Sequence, residues 1–440
     1  MTDVTAPGPA LSAHFASRSP SSIRVASIRF AERTDATRAL NVAIGNVSLP
    51  MHPAMQERLA SATAAPSPFA DGVVRYTATA GTDEARRAVL HVIGASGLST
   101  DRLHAQITDG GSQAMELMIV GCCGPAGSEE RPLMMIDPGY TNYLAFANRL
   151  GRNVVAIQRT LDDKGAFGLP SLDEIAAAFE RHRPGALVVI PYDNPTGQLY
   201  ARSMMVELAK LCVEHGTWMV SDEAYRELHY RGDSTISIWD LTEDDVPGIN
   251  GHRISIETTS KVWNACGLRI GALVTDNHDF HVQAVAENTA SLCSNHIGQW
   301  ILGGLADVPH DELRTWFAQQ RDYYRTMMND LCLKCSQRMP ALVVSQPDAS
   351  LYSVIDVRNV VDESFDALEF VLWCASEGRT SVDGEDWTLL TAPMADFYDV
   401  APGQPNPGRT QMRVAYVETP ERMAQVPALF TELLGQYLAR

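Results

Sequence analysis

Short apolar runs, each bounded by polar or turn-forming residues, recur through the middle of this 440-residue chain: Leu133–Ile136, Val154–Ile157, Ala186–Pro191, Trp218–Ser221, Ile254–Glu257 and Ile270–Thr275. Helical patterns lie between several of them, as in Leu172–Arg181 and Ser203–His215. Runs that are apolar throughout suit strands buried on both faces, and strands alternating with helices predict an α/β fold with a largely parallel sheet covered on both sides. Ligands of such sheets bind outside the carboxyl ends of the strands. Asn194 follows Leu187–Ile190, Asp222 closes Trp218–Ser221, and Lys261 follows Ile254–Glu257.

Several function classes are disfavoured. The chain has no G-x-G-x-x-G fingerprint and no Walker loop, so a dinucleotide or ATP site has no support. A net charge of −18 argues against nucleic-acid partners, which demand clustered Lys and Arg. No apolar run approaches the roughly eighteen residues of a membrane span, and the Ala/Ser/Pro-rich first twenty residues lack the basic start and apolar block of a secretory signal. Cys332-Leu-Lys-Cys335 sits in a helical pattern with no second ligand pair at zinc spacing, so no metal is expected. The cysteines suggest no disulfide framework, and a cytoplasmic location is the expectation.

The chemistry concentrates in Thr258-Thr-Ser-Lys261-Val-Trp-Asn-Ala-Cys-Gly-Leu-Arg269, preceded by Asn194-Pro-Thr-Gly197 and Asp222-Glu-Ala-Tyr225. A lysine amine condenses with aldehydes when desolvation or nearby cations lower its pKa. A carboxylate can hold a protonated pyridine nitrogen, and an arginine can neutralise a phosphate. Those needs together describe pyridoxal 5'-phosphate.

In this order the motifs resemble the class I/II aminotransferases, the fold type I pyridoxal phosphate enzymes of the aspartate and aromatic aminotransferase type. The resemblance runs from about Asn41 to Glu418. It implies a large cofactor-binding domain over 62–320, with a mostly parallel seven-stranded sheet sandwiched by helices. It also implies a smaller α/β domain built from 23–61 and 321–440. Residues 1–22 read as a flexible arm, and 382–408, rich in Pro and Gly near its end, as a long loop.

The resemblance also implies roles. Lys261 forms the Schiff base and moves the substrate proton; Asp222 pairs with the ring nitrogen; Tyr225 and Asn194 hydrogen-bond the phenolic oxygen. Gly111, Ser112 and Gln113, in the turn after Ala105–Thr108, would cradle the phosphate with Thr258 and Arg269. Tyr140 would stack on the ring, and Tyr76 would reach the cofactor of a neighbouring subunit, making the enzyme a homodimer with shared sites. Arg413 would grip the substrate α-carboxylate, Gly45 would let it approach, and Tyr352 would line the side-chain pocket.

The sequence departs from dicarboxylate-specific members at one place. Glu287–Cys293, ahead of Ser294-Asn295, contains no Arg or Lys to meet a second carboxylate. Trp263, Cys293 and His296 are near the expected pocket, and Asp396 either faces it or faces solvent. The expected activity is transfer of the α-amino group of an L-amino acid, not preferentially aspartate, to a 2-oxo acid by a ping-pong mechanism. The alternatives are another carbanion fate on the same cofactor (β-lyase, racemase, decarboxylase or oxidase) or a non-catalytic regulator.

Overall fold

In the computed structural model, which describes residues 8–232 and 235–440, each central apolar run forms a strand. With His104–Thr108 (β1) they are Leu133–Asp137 (β2), Val154–Gln158 (β3), Ala186–Val189 (β4), Trp218–Asp222 (β5), Arg253–Thr258 (β6) and Gly271–Thr275 (β7). They make one seven-stranded sheet in the order β1-β7-β6-β5-β4-β2-β3. Only β7 runs antiparallel to its neighbours; the other pairings are parallel. Every residue of β2, β4 and β7 is buried, which is why these runs show no polar alternation.

Helices fill the crossovers. Leu172–His182 opens with a capping box in which Ser171 and Glu174 satisfy each other's backbone N–H groups. Arg202–Glu214 follows β4, and Gly110–Cys122 follows β1. The long helix His310–Arg338 contains no Gly or Pro and runs unbroken past residue 320, where the sequence suggested a boundary. Cys332 and Cys335 are buried on it as free thiols. No helix among the described residues is long and apolar enough to cross a membrane.

Beside the two-stranded pair Thr160–Leu161 and Phe167–Gly168, two further small sheets complete the described structure. One has the order Val343–Val344, Tyr352–Asp356, Gln411–Ala415, Ala392–Pro393, all antiparallel. In the other, Glu385–Leu390 lies between Arg38–Asn41, its parallel neighbour, and Thr380–Val382. Of the expected N-terminal arm, residues 1–7 lie outside the described residues. Residues 8–21 are exposed and include the short helix Ala13–Ala16.

The long loop expected over 382–408 is overturned in its first part. Thr380–Val382 and Glu385–Leu390 form a hairpin around Asp383-Gly384, both at positive φ (52° and 82°). A two-residue turn with both central residues left-handed is the tight hairpin that Asp-Gly favours. The Asp-Gly signal was present, but few apolar residues flank it, because Ser381, Glu385 and Asp386 beside the turn are exposed and polar. A Cβ at Gly384 would meet nothing within 4 Å, so substitution there tests conformation alone. Gly384→Val should lower stability by roughly 1–2 kcal/mol, read as a reduced urea midpoint with unchanged m-value.

Candidate active site

The carboxyl ends of three adjacent parallel strands each deliver one chemical group. The turn after β4 carries Asn194, β5 ends on Asp222, and the loop after β6 carries Lys261. The four-stranded sheet supplies Tyr352 and Arg413 from neighbouring strands. Tyr352 lies opposite Ala415, so Arg413 is its diagonal neighbour on the same face. The guanidinium carbon sits 4.3 Å from the centre of the Tyr352 ring. All five residues line a cavity of about 810 Å³.

Asp222 is buried, accepts a 2.9 Å hydrogen bond from the Tyr143 hydroxyl and a 3.1 Å bond from the Ala224 backbone N–H, and makes no ion pair among the described residues. Burial pushes its carboxyl up to about 6, against the two hydrogen bonds; the neighbouring Glu223 and Glu257 push in the same direction. Those two glutamates share Arg226, whose guanidinium donates to Glu257 at 2.6 Å and lies 3.5 Å from Glu223. The arginine is thus taken up by them. An uncompensated buried carboxylate is expensive, and a cation beside it would relieve the penalty. Tyr143 was missed as a site residue; its spacing of three from Tyr140 at the start of a helix was the available signal.

Arg413 presents the complementary problem. It is 2% exposed and has no acidic partner among the described residues. Its guanidinium donates to Asn194 Oδ1 at 2.8 Å and to the Ala43 carbonyl at 2.8 Å, while its buried Nε has no partner among the described residues. A planar guanidinium of this kind matches a carboxylate. The Asn194 amide donates to the Tyr225 hydroxyl (3.2 Å), which lies 2.8 Å from the Tyr352 hydroxyl. Burial opposes ionisation of both phenols, but Lys261 and Arg413 hold Tyr352 below its ordinary range, whereas Tyr225 stays well above it. The Lys261 amine donates to the Gly45 carbonyl. A side chain at Gly45 would strike the Tyr352 hydroxyl and crowd that amine.

A cluster of donors occupies another part of the cavity wall. Gly110, at φ 69°, opens the helix Gly110–Cys122, and the Arg269 guanidinium lies against it where any Cβ would be. Gly111 and Ser112 follow on the first turn, whose free N–H groups favour an anion. Arg269 donates to the Cys266 carbonyl (3.0 Å) and makes a long 3.5 Å contact with Ser112 Oγ. The Thr258 and Ser260 hydroxyls are 2.8 Å apart on the same wall. Arg269 is itself left-handed (φ 52°), a conformation that costs an ordinary residue about 1–2 kcal/mol and clusters at functional sites. Ser260 was not singled out from sequence, although it immediately precedes the lysine.

Other expected residues lie elsewhere. The Gln113 side chain is not part of the wall; it turns back to accept from the Asp109 N–H (2.8 Å) and to donate to Asn288 (2.9 Å). Tyr140 does line the cavity, with its hydroxyl accepting from Asn142. Tyr76 is 80% exposed and outside the cavity of its own chain. Trp263 is buried behind the site, stacked on Trp316 at an interplanar angle of 2°. Asp396 faces solvent, and its neighbour Phe397 packs on Arg413, 5.1 Å from guanidinium carbon to ring centre. Cys293 and His296 instead hold the segment around Tyr76, through the Thr77 N–H and the Arg75 carbonyl.

A lysine, a buried carboxylate and an anion cradle at the strand ends of one mostly parallel sheet define a Schiff-base enzyme of the pyridoxal phosphate type. A sequence model described as "Aminotransferase class I and II" matches residues 40–377, and the chain belongs to that family. It is 26% identical over 372 residues to the aspartate/prephenate aminotransferase of Thermus thermophilus, covering 84% of this chain and 85% of that one. It is 27% identical over 252 residues to an arginine–pyruvate transaminase of Pseudomonas aeruginosa, covering 56% and 58%. Among solved structures, the fold superposes on N-succinyldiaminopimelate aminotransferase from Mycobacterium tuberculosis with a TM-score of 0.78 at 18% identity, covering 96% of this chain and all of the other. A Thermus thermophilus aspartate aminotransferase bound to maleate gives 0.77 at 21% identity, covering 97% of this chain and all of the other.

The family's cofactor is pyridoxal 5'-phosphate, and the residues present fit it. Asp222 has no cation among the described residues, the Gly110–Ser112 turn with Thr258, Ser260 and Arg269 offers donors to a dianion, and Lys261 offers the amine. Without cofactor, Asp222 should be a liability. Its folded pKa lies above its ordinary 3.8, so the folded state pays for ionisation as pH rises from about 4 through about 6, and the deficit then stays constant. Asp222→Asn should therefore stabilise the cofactor-free protein by on the order of 2–3 kcal/mol at pH 7.5, with the advantage vanishing near pH 4. Urea titrations across that range measure it.

Proposed function

We propose that this aminotransferase moves the α-amino group of an L-amino acid, not preferentially aspartate, to a 2-oxo acid by a ping-pong cycle, as a homodimer in the cytoplasm. The observation that carries the reading is the convergence of Lys261, Asp222 and Arg413 on one cavity, with Asp222 and Arg413 buried and neither ion-paired among the described residues. When bound, pyridoxal 5'-phosphate supplies an aldehyde and a protonated pyridine that accepts electrons.

The chain's residues do the rest. Arg413, steadied by Asn194 and stacked on Tyr352, holds the substrate α-carboxylate, and Gly45 leaves room for it. Lys261, released from the Gly45 carbonyl, would take the proton from the substrate Cα and deliver it to the carbon on the far side of the amino nitrogen, two atoms away. Asp222, oriented by Tyr143, keeps a proton on the ring nitrogen. Tyr225 and Asn194 donate to the phenolic oxygen. Gly111, Ser112, Thr258, Ser260 and Arg269 would hold the phosphate, and Tyr140, on the same cavity wall, would pack against the ring.

The dimer reading rests on an exposed apolar patch. Val73, Val74 and Tyr76 lie beside Leu292 and Ile297, all exposed, in two segments joined through the Thr77–Cys293 and Arg75–His296 contacts. Exposed apolar residues grouped on two linked segments are what a second subunit would cover, and Tyr76 among them would reach a neighbouring site.

Three measurements test the proposal. Borohydride should fix the cofactor to Lys261 in the wild type, seen by peptide mass spectrometry, and Lys261→Ala should stay folded yet lose turnover. Amino donors added without acceptor should convert the cofactor spectrum to that of the amine form; lyase, racemase, decarboxylase or oxidase products without that conversion would refute transfer. Aspartate should fall on the order of a hundredfold below the best donor in kcat/KM, because a second carboxylate deep in the site finds no partner. Aspartate as best donor would refute that part.

A further inference from the structure

The cavity wall carries a cation that the cofactor and the α-carboxylate do not use. Its positively charged residues are Lys261, Arg269, Arg413 and Arg24. Lys261 serves the amine chemistry, Arg269 the anion cradle and Arg413 the α-carboxylate. Arg24 is left over.

Its setting sets it apart from its neighbours. Arg24 is the third residue of the helix Ser22–Phe30. The other arginines of this segment are paired, Arg29 with Glu32 at 2.6 Å and Arg33 with Asp35 at 2.8 Å; Arg24 makes no ion pair among the described residues. A cation in the first turn of a helix faces the positive end of the dipole, so it does not stabilise the helix it belongs to. It adds instead to a positive potential at the cavity mouth.

The helix is firmly placed. Ala26 is fully buried, and Ser27 accepts a 2.9 Å hydrogen bond from Asn41, itself a cavity residue. Ser27 is three residues beyond Arg24 and therefore on the same helix face, so the contact that anchors the helix also turns Arg24 toward the cavity. The acidic residue at this mouth, Glu418, is engaged by Arg422 at 3.3 Å. Among the described residues, the free charge there is positive.

Resting on the aminotransferase reading, we propose that Arg24 recognises the distal carboxylate of a five-carbon dicarboxylate, glutamate or 2-oxoglutarate, as the chain's own specificity-determining residue. Arg413 is buried at the floor and Arg24 is exposed at the mouth, so a ligand bridging them must span the depth of the site. A longer dicarboxylate places its second charge at the solvent-facing rim, where it meets a cation at little desolvation cost. Aspartate keeps its second charge deeper. Monocarboxylates leave Arg24 hydrated and are unaffected by it.

The experiment has a binding arm and a turnover arm, both on the cofactor-loaded protein. By calorimetry, glutarate should bind about tenfold more tightly than pentanoate, the return expected from one charged contact. Arg24→Met should abolish that preference, and Arg24→Lys should keep part of it. In turnover, Arg24→Met should raise the KM for 2-oxoglutarate about tenfold with little change in kcat, and leave the KM for pyruvate nearly unchanged. Undiminished discrimination in Arg24→Met, or equal losses for both acceptors, would overturn the assignment. Absence of transfer to any acceptor, with the glutarate preference intact and sensitive to Arg24, would overturn the transaminase reading and leave this one standing.

Discussion

Two buried charges of opposite sign, neither with a counter-ion among the described residues, organise this molecule. Asp222 closes a central strand and Arg413 lies within a strand of a different sheet, so neither can move to pair with the other or with solvent. Leaving a charge buried and unpaired is among the larger penalties a fold can carry. On the proposed reading two ligands relieve this penalty, the protonated ring of the cofactor at Asp222 and the α-carboxylate of the substrate at Arg413. Cofactor binding and the shift of proton affinity at Asp222 are then one electrostatic event.

Holding such charges apart requires stiff surroundings, and a second layer of polar contacts supplies them. Arg159 is buried and bonds the Pro138 carbonyl at 2.7 Å and Asp193 at 3.0 Å. It thus ties the segment leading to Tyr140 to the turn bearing Asn194. Asp193 in turn accepts from the Thr196 N–H (3.1 Å), closing that turn. Arg226 between Glu223 and Glu257 performs the same service behind Asp222. Unlike Arg413, both of these arginines meet an acidic partner within the chain, Arg159 at Asp193 and Arg226 at Glu257.

The parallel core and its strand-end residues were legible in the sequence because fully buried strands read as unbroken apolar runs and because the turns after them use Asn, Pro, Gly and Asp. The hairpin around Asp383-Gly384 was not, since exposed strands at its base lack the apolar pattern. Gln113 and Ser112 are adjacent in sequence, but only Ser112 lines the cavity; the first turn of the helix rotates the next side chain toward Asn288. Trp263 illustrates the same limit: two residues from Lys261 along the chain, it stacks behind the wall on Trp316.

Local chemistry thus belonged to the sequence: which residues bear an amine, a carboxylate or a guanidinium, and which strand each one follows. The mostly parallel sheet followed from local patterns, because strand burial and turn chemistry act over a few residues, and the family from the resemblance of the ordered motifs around Asn194, Asp222 and Lys261. Tertiary structure alone decided which charges were satisfied. Arg226 and Arg413 are equally basic in sequence, yet among the described residues the first meets two glutamates and the second no acid, because ion pairing depends on contacts between residues as far apart as Asn194 and Arg413. Likewise, only the placement of the N-terminal helix over Asn41 turns Arg24 toward the cavity rather than leaving it on the outer surface.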